Sequence, residues 1–362
     1  MKIAQIAPLY ESVPPKLYGG TERVVSYLTE ELVNHGHEVT LFAAGDSKTR
    51  AKLISPVSSA LRLDPSVTDP IAFHIIQMQD VADLAGEFDV LHFHTDYFHF
   101  PFSSRLSKPV LTTLHGRLDL PELQHIYRRF DRQHIVSISN HQRIPLPDAH
   151  WFDTVYHGLP EHLYTPGAGD GGYVAFIGRI SREKRPDRAI EIARRAGMKI
   201  KIAAKIDKAD RQYYESTIRP LLQQPHVEFI GEIGEDLKGP FLGGARALLF
   251  PIDWPEPFGM VMIEAMACGT PVIAFRNGSV PEVLQDGISG FIVDSVDEAI
   301  SALGRIGLID RREVRRCFEQ RFTAGVMTAN YERIYARLLA RQRQASDTSH
   351  SLNSTFSAET AA

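Results

Sequence analysis

The sequence has few of the features that mark secreted, membrane-spanning or nucleic-acid-binding proteins. It contains two cysteines in 362 residues and carries a net charge of −4. So few cysteines argue against a disulfide framework and fit a reducing compartment. No window approaches the roughly 18 to 20 apolar residues of a membrane span, and the first apolar run is too short for a signal peptide. We therefore expect a cytoplasmic protein without a transmembrane segment or a nucleic-acid partner.

Two ligand-binding signatures are also missing or incomplete. The first turn lacks the G-x-G-x-x-G pattern of dinucleotide-binding enzymes. His92 and His94 form an H-x-H pattern on one face of a predicted strand, a spacing that suits a metal ion. Because no third ligand is evident nearby, we expect these imidazoles to form hydrogen bonds at a crevice and predict no metal site.

The most informative stretch covers residues 250–275 and reads FPIDWPEPFGMVMIEAMACGTPVIAF. It predicts a strand end, a proline-bounded loop with Glu256, a glycine at Gly259, a short helix with Glu264 and a second strand. The start of such a helix has unpaired amides and a partial positive charge, which suits a phosphate. An anion site beside two carboxylates that bind hydroxyls suggests a nucleotide sugar as ligand.

The whole chain repeats one order of strand, loop, helix and strand in two halves, with a glycine- and proline-rich break at residues 158–173. This pattern predicts an α/β fold of two doubly wound, Rossmann-like domains that face each other across a cleft. The predicted parts are a first domain at residues 1–165, a second domain at 170–325, a C-terminal helix at 326–342 and a disordered tail at 343–362. In the first domain the predicted strands are residues 2–8, 37–44, 89–93, 109–114, 134–139 and 154–156.

The first half offers two candidate ligand-binding positions, a glycine loop and a histidine. Gly19 and Gly20 follow the first strand, and His115 ends the strand at residues 109–114, so these residues should face the crevice at the carboxyl ends of the strands. Thr21 is the predicted N-cap of the next helix. A simple tight turn remains the alternative for the glycines, and a buried histidine bonded to backbone remains the alternative for His115.

The second half begins with a basic turn, GRISREKRPD, after its first strand. Arg179, Arg182, Lys184 and Arg185 lie within seven positions of one another. One interpretation is an exposed turn. The other is a phosphate clamp, in which Arg179 and Lys184 reach toward a diphosphate held by the helix at residue 259.

Two further groups of residues have simpler interpretations. Arg128, Arg129 and Arg132 lie mostly on one side of a helix predicted at residues 121–133. Such a cluster is usually a solvated face, and the alternative is weak peripheral contact with a membrane or an anionic acceptor. Cys268 lies in an apolar helix, so we predict a packed thiol rather than a nucleophile.

Together these motifs resemble the retaining glycosyltransferases of family 4, the glycosyltransferases group 1, which have the two-Rossmann B fold. The motifs span nearly the whole chain to about residue 340. The segment YHGLP at residues 156–160 departs from the family's usual N-G-[IV]-D, which puts in doubt any interdomain contact of those side chains. The resemblance rests on Glu256 and Glu264 in the E-x7-E pattern, PEPFG, EAMACGTPVIA, FIGRISREK, NGSVPEVLQDGISGF and GGTERVV.

The resemblance implies a role for each matching residue. In similar enzymes the arginine and lysine of the basic turn contact the donor's diphosphate, here Arg179 and Lys184. The second glutamate, Glu264, binds ribose hydroxyls, while Glu256 is set against the transferred sugar and His115 approaches that sugar from the first domain. The implied donor-binding set is Arg179, Lys184, Glu264, Phe258, Gly259, Met260, Val261 and Gly20, with Glu256 and His115 as catalytic residues and Gly19 on the acceptor side.

The resemblance further implies a retaining, metal-independent hexosyltransferase that uses no cofactor besides its nucleoside-diphosphate sugar. A UDP-sugar is favoured as donor, with GDP-mannose next, and the acceptor is a hydroxyl of a glycan, a lipid-linked or a small-molecule compound. The chain has no Asp-x-Asp motif, and cations near the leaving phosphate can stabilise its charge. Two alternatives remain: a non-catalytic nucleotide-sugar-binding protein and a dinucleotide-dependent oxidoreductase.

Overall fold

A computed structural model of the chain describes residues 1–16 and 19–359, with side chains to residue 344. The described residues form two parallel sheets, one of seven strands and one of six. The strands of the first sheet are β1 (Lys2–Ile6), β2 (Glu38–Phe42), β3 (Lys52–Ile54), β4 (Val90–Phe93), β5 (Val110–Thr113), β6 (His134–Ser137) and β7 (Trp151–Thr154). Those of the second sheet are β8 (Tyr173–Arg179), β9 (Lys199–Lys205), β10 (Val227–Gly231), β11 (Leu248–Phe250), β12 (Val272–Phe275) and β13 (Gly290–Val293).

The strand orders are those of doubly wound domains. The first sheet runs β3-β2-β1-β4-β5-β6-β7 and the second runs β10-β9-β8-β11-β12-β13. In each sheet the order reverses beside the first strand, between β1 and β4 or between β8 and β11. Ligands of such sheets bind in the crevice at this reversal, outside the carboxyl ends of the strands. The predicted fold of two Rossmann-like domains is confirmed.

Helices connect the strands and cover both sheets. The first domain has α1 (Gly20–Asn34), α2 (Pro70–Leu84), α3 (Phe100–Ser103) and α4 (Pro121–Arg129). The second has α5 (Pro186–Arg195), α6 (Arg211–Tyr213), α7 (Arg219–Leu221), α8 (Glu235–Gly243), α9 (Met260–Ala267), α10 (Val280–Val283), α11 (Val296–Arg305) and α12 (Arg311–Arg321), and the chain ends in α13 (Ala324–Glu359). Short 3-10 turns occur at Leu61–Leu63, Ala85–Glu87, His141–Arg143, Lys208–Asp210 and Ile306–Leu308, with a π-helical turn at Tyr214–Ile218.

The last helix joins the two domains. α13 starts after the second domain and packs on α1 of the first domain. Tyr331, Ile334, Tyr335 and Leu338 are at most 3% exposed and share one core cluster with residues of β1, α1 and β4. Burying each side chain of this size stabilises the fold by roughly 1.5–3 kcal/mol, so this helix holds the first domain firmly.

Four predicted features differ from the structure. The strand predicted at 154–156 is β7, three residues earlier, because the ladder of β6 ends where Ser137 pairs with Thr154. The helix predicted at 121–133 ends at Arg129. The N-cap of α1 is Gly19 rather than Thr21, because α1 begins directly after the closely packed glycine loop.

The fourth difference concerns the tail. The prediction of disorder at residues 343–362 differs from the structure, in which α13 continues to Glu359; residues 360–362 lie outside the described residues. Extending an existing helix adds one hydrogen bond for each residue fixed, so alanine-containing segments can continue a helix that a packed core has started.

Candidate active site

A cavity of about 600 Å³ lies between the two domains, at the reversal points of both sheets. The first domain lines it through the glycine loop before α1 and the ends of β4 and β5. The second lines it through the ends of β8 and β11 and the start of α9. Every residue predicted as a ligand contact from sequence lies in its wall: Gly19, Gly20, His115, Arg179, Lys184, Glu256, Phe258, Gly259, Met260, Val261 and Glu264.

Glu256 lies in the loop between β11 and α9 and is 8% exposed. Its Oε2 contacts the Lys184 ammonium and accepts a hydrogen bond of 2.9 Å from Trp254 Nε1. A neighbouring glycine supports this loop from behind: a Cβ at Gly278 would lie 2.3 Å from both the backbone nitrogen and oxygen of Glu256. The glycine of the NGSVPE motif is therefore required by the close approach of two backbones.

Lys184 is held by an anion and two aromatic faces. Its Nζ lies 5.0 Å from the ring centre of Trp254 and 5.8 Å from that of Phe250. Such contacts attract a cation and restrict a long, flexible side chain. The family resemblance implies contacts of Lys184 and Glu256 with different parts of a ligand, whereas the structure places the two side chains in direct contact.

Arg179 occupies the end of β8, and the rest of the basic turn divides between two environments. Arg179 pairs with Glu183 at 3.0 Å and with Asp210 at 3.4 Å, and one third of its side chain remains exposed at the cavity. Arg182 instead lies 5.0 Å over the ring of Tyr213. The turn therefore supplies cations to the cleft through Arg179 and Lys184, the two residues selected from sequence.

Arg185 serves the structure of the turn itself. It has a left-handed backbone conformation, with φ of 54°, at the N-cap position of α5. Its guanidinium pairs with Asp187 and Asp253, each at 2.8 Å. These ion pairs bind the start of α5 to the loop that precedes Glu256.

Glu264 lies within α9 and is 4% exposed. Its Oε1 accepts a 2.7 Å hydrogen bond from Nζ of Lys238 on α8, and both side chains line the cavity. Sequence reasoning missed Lys238 because a single lysine on a short helix carries no pattern. The nearby Glu235, also on α8, contacts Arg23 of α1, so an ion pair bridges the two domains beside this site.

The start of α9 has the conformation expected of an anion-binding turn. Gly259 is its N-cap, with φ of 78°, and a Cβ there would lie 2.8 Å from Met262 Cε and 3.1 Å from Phe250 Cζ. Only glycine fits this position without strain. The first amides of the helix, at Met260 and Val261, lie in the cavity wall, where unpaired N–H groups and the helix dipole favour a negative ligand.

His115 closes the cavity from the first domain. Its ring stacks on His157 at 5.1 Å with an interplanar angle of 18°, and its Nε2 lies 2.8 Å from His94 Nδ1. Burial lowers the pKa of His115 to about 3, so the imidazole is neutral near pH 7. His157 belongs to the YHGLP segment and also contacts Phe258 of the second domain, so this departure from the family pattern makes its own interdomain contact.

His92 and His94 form hydrogen bonds, as predicted. His92 lies 2.8 Å from Thr113 Oγ1 through Nε2 and 2.8 Å from the Tyr335 hydroxyl through Nδ1. His94 bonds Gln5 and His115, each at 2.8 Å. Among the residues that the structure describes, no group of three or more histidine, cysteine or acidic side chains is arranged to hold a metal ion.

The remaining sequence candidates lie away from this cavity. Arg128, Arg129 and Arg132 are exposed at and just after the end of α4. Cys268 is fully buried as a free thiol, and burial raises its pKa to about 12, which confirms a packing role. Within the described parts of the chain, no helix combines the length and apolar character needed to cross a bilayer.

Two Rossmann-like domains face each other across a cleft that contains the glycine-capped start of α9, two lysines and two carboxylates. The family model for glycosyl transferases group 1 matches residues 166–321, and the model for glycosyltransferase family 4 matches residues 18–150. The chain belongs to the group 1, family 4 glycosyltransferases.

Individual relatives show how far the likeness extends. A phosphatidyl-myo-inositol mannosyltransferase of Mycolicibacterium smegmatis is 25% identical over 381 residues, covering 94% of this chain and 92% of that protein. A D-inositol 3-phosphate glycosyltransferase of the same organism is 29% identical over 182 residues, covering 46% of this chain and 40% of that protein. The crystal structure of Anabaena HepE in complex with UDP and glucose superposes with a TM-score of 0.69 at 16% identity, covering 93% of this chain and 100% of that chain. This last likeness concerns the fold.

Proposed function

We propose that this glycosyltransferase moves a hexose from a nucleoside-diphosphate sugar to an acceptor hydroxyl, with retention of the anomeric configuration and without a metal. The observation that carries the proposal is the convergence of Arg179, Lys184 and the start of α9 on one cavity that also contains Glu256 and Glu264. Cations and helix amides suit a diphosphate, and carboxylates suit sugar hydroxyls.

The diphosphate is the leaving group of this reaction. Breaking its bond to the sugar builds negative charge on the leaving oxygen and positive charge on the anomeric carbon. Arg179, Lys184 and the dipole of α9 stabilise the negative charge. Because Lys184 contacts Glu256, a diphosphate bound at this lysine shares it with the carboxylate or takes it over. Glu256 is then available to the transferred sugar.

The two carboxylates have separate tasks. Glu264, held by Lys238 at 2.7 Å, binds ribose hydroxyls and positions the nucleotide. Glu256 positions the transferred sugar and is not a nucleophile. The acceptor enters from the first domain past Gly19, attacks from the face that the diphosphate leaves, and gives its proton to that phosphate, so no side chain acts as conventional base.

The donor is a UDP-sugar in the first instance, with GDP-mannose next. UDP and glucose occupy the HepE structure of the same fold, and a relative that matches 94% of this chain is named for mannosyl transfer. The acceptor is a glycan, a lipid-linked compound or a small molecule. We also expect the protein to be cytoplasmic. The exposed cluster of Arg128, Arg129 and Arg132 is interpreted as a solvated face, with weak peripheral contact to a membrane as the alternative.

A donor screen tests the proposal. UDP-, GDP- and ADP-sugars are added to the full chain in EDTA, and thermal stability is followed. A true donor at 100 times its Kd stabilises the native state by about 2.7 kcal/mol, and Lys184→Met should remove most of that shift. NAD(H) is the control: stabilisation by NAD(H) alone would contradict the proposal and favour the oxidoreductase.

Turnover and stereochemistry then separate an enzyme from a binding protein. With the selected donor, we expect slow donor hydrolysis without an acceptor and faster transfer with sugar or inositol acceptors. Proton NMR of the first-formed product should show the anomeric configuration of the donor. Binding without any turnover would support the non-catalytic alternative, an inverted product would contradict retention, and a strict need for Mg²⁺ or Mn²⁺ would contradict metal independence.

A further inference from the structure

A chain of buried hydrogen bonds connects His115 in the cavity to the C-terminal helix. His115 Nε2 lies 2.8 Å from His94 Nδ1, and His94 Nε2 lies 2.8 Å from Gln5 Oε1. Gln5 Nε2 then donates to the Tyr335 hydroxyl at 3.0 Å. Gln5, His94 and Tyr335 are at most 2% exposed, so water does not compete for these bonds.

The chemistry of the donors and acceptors sets the direction of this chain. An amide oxygen only accepts, so His94 Nε2 must donate to Gln5 Oε1. Burial lowers the pKa of His94 well below its ordinary value, and a neutral imidazole has one N–H, which leaves His94 Nδ1 as an acceptor. His115 Nε2 therefore donates to His94. The second ring nitrogen of His115, Nδ1, keeps its lone pair and has no hydrogen-bond partner among the described residues.

Tyr335 fixes the orientation of the Gln5 amide. Its hydroxyl accepts from Gln5 Nε2 at 3.0 Å and shares a hydrogen bond of 2.8 Å with His92 Nδ1. The amide nitrogen of Gln5 is thereby held on the side of α13, and the amide oxygen is left for His94. Without this hydroxyl, the Gln5 amide loses its nearest acceptor and can rotate so that its nitrogen faces His94, which reverses the direction of both later bonds.

We propose that Tyr335, acting through Gln5 and His94, is a positioning residue that holds His115 as its Nε2–H tautomer. The unprotonated Nδ1 is buried in the structure, and a small shift of the ring presents it as an acceptor to a hydroxyl of the transferred sugar. The role at the sugar rests on the proposed function. A neutral acceptor at this place adds no positive charge beside the anomeric carbon, where positive charge develops in the transition state. The C-terminal helix, which starts from the second domain, thus helps to set the tautomer of His115 in the first domain.

Tyr331 provides a matched control on the same helix. It is 0% exposed, as is Tyr335, and its hydroxyl bonds Thr113 Oγ1 at 2.9 Å. Tyr331→Phe and Tyr335→Phe each remove one buried hydroxyl, so a purely structural role predicts similar losses of thermal stability and similar catalytic effects. Only Tyr335→Phe removes the nearer acceptor of the Gln5 amide nitrogen, at 3.0 Å, and leaves the longer contact of 3.4 Å to His92 Nδ1.

The experiment measures the ring ¹⁵N chemical shifts of His115 in the full-length, unliganded protein. We expect a protonated Nε2 and an unprotonated Nδ1 in the wild type and in Tyr331→Phe, and a mixture of both tautomers in Tyr335→Phe. Turnover of Tyr335→Phe should fall about tenfold, the effect of roughly 1.4 kcal/mol on the barrier, with less than about threefold change in KM for the donor. Tyr331→Phe should change both values little.

Two results would overturn the proposal: a proton on Nδ1 of His115 in the wild type, or unchanged His115 shifts in Tyr335→Phe. If Tyr335→Phe does not fold, the wild-type shifts and Gln5→Met decide, because Gln5→Met removes both amide groups and should also give mixed tautomers. The expected tautomers in a protein that transfers no sugar would contradict the proposed function while upholding the hydrogen-bond assignment.

Discussion

The two walls of the cleft differ in the charge of the polar side chains that distinguish them. In the first domain the wall is backed by His92, His94, His115 and His157, which burial keeps neutral by lowering their pKa values. In the second domain the wall carries ion pairs, Lys184 with Glu256 and Lys238 with Glu264. The histidine cluster of the first domain therefore presents neutral groups, although charged side chains of that domain, among them Arg62, Asp96 and Arg117, also line the cavity. The lysines of the second domain are each paired with a carboxylate.

Under the proposed function, this difference matches the charge that would develop when a sugar is transferred from a diphosphate donor. A leaving diphosphate needs cations, and the second domain supplies them on side chains held by carboxylates. The sugar carbon becomes positive, so a histidine near it should stay uncharged. Buried ion pairs cost desolvation and are held only with good geometry, which explains why each lysine here has both a carboxylate partner and a packed surrounding.

The largest expected effect concerns Lys184 at the charged wall. Lys184→Met removes a cation from the leaving group, so kcat/KM should fall by about 10²- to 10³-fold. Arg182→Met is the matched control, because Arg182 lies in the same turn but stacks on Tyr213, and it should change kcat/KM less than about threefold. Steady-state kinetics with the selected donor measure both. Equal losses in the two variants would mean that net charge near the cleft, rather than Lys184 itself, matters.

A smaller effect is expected at the second ion pair. Lys238→Met leaves Glu264 buried without its partner, which should cost about 2 kcal/mol or more of stability and weaken donor binding about tenfold. A double-mutant cycle with Glu264→Gln isolates the pair, and we expect a coupling energy of about 1–3 kcal/mol. Denaturant unfolding and calorimetry supply the free energies. Additive losses would show that the two side chains act independently.

The smallest effect expected for any single group is the loss of stability at low pH that each buried histidine of the first domain causes. A histidine whose pKa is lowered by folding binds protons in the unfolded chain first, so stability falls as pH drops below about 6.5. Each such histidine lowers the free energy of unfolding by about 1.4 kcal/mol for each pH unit below that point. The second domain has one histidine, His226, so between about pH 7.5 and 5.5 the first domain should lose more stability than the second.

The two tryptophans make this measurable domain by domain. Trp151 lies in β7 of the first domain and Trp254 lies in the second. Single-tryptophan variants, Trp254→Phe and Trp151→Phe, report the unfolding of each domain by fluorescence. Equal acid sensitivity of both signals would contradict the claim that the buried histidines make the first domain more sensitive to acid than the second.

Sequence reasoning reached the parts of the site that have local patterns. Glu256, Gly259 and Glu264 lie within nine positions in a strand-loop-helix segment, and the cavity contains all three. The basic turn also predicted its two cleft residues. The roles of these residues at a ligand stay predictions, because a motif fixes where a side chain lies more directly than what it binds.

The parts that sequence reasoning missed depend on distant partners. Gln5 and Tyr335 bond across a separation of 330 positions, and no local pattern around either residue points to the other. Lys238 meets Glu264 because α8 and α9 pack together.

The start of α2 did have a local signal, since Asp69 caps the helix and Pro70 follows, but the surrounding weak apolar pattern concealed it.

The most direct test of the account is a calorimetric titration of wild type and Lys184→Met in EDTA. The ligands are the nucleoside diphosphate that the donor screen selects and its parent nucleoside. We expect Lys184→Met to lose about 10- to 100-fold in affinity for the diphosphate, roughly 1.4–2.7 kcal/mol, with the nucleoside unaffected. Unchanged diphosphate affinity, or an equal loss for the nucleoside, would contradict the claim that the charged wall of the second domain recognises the diphosphate.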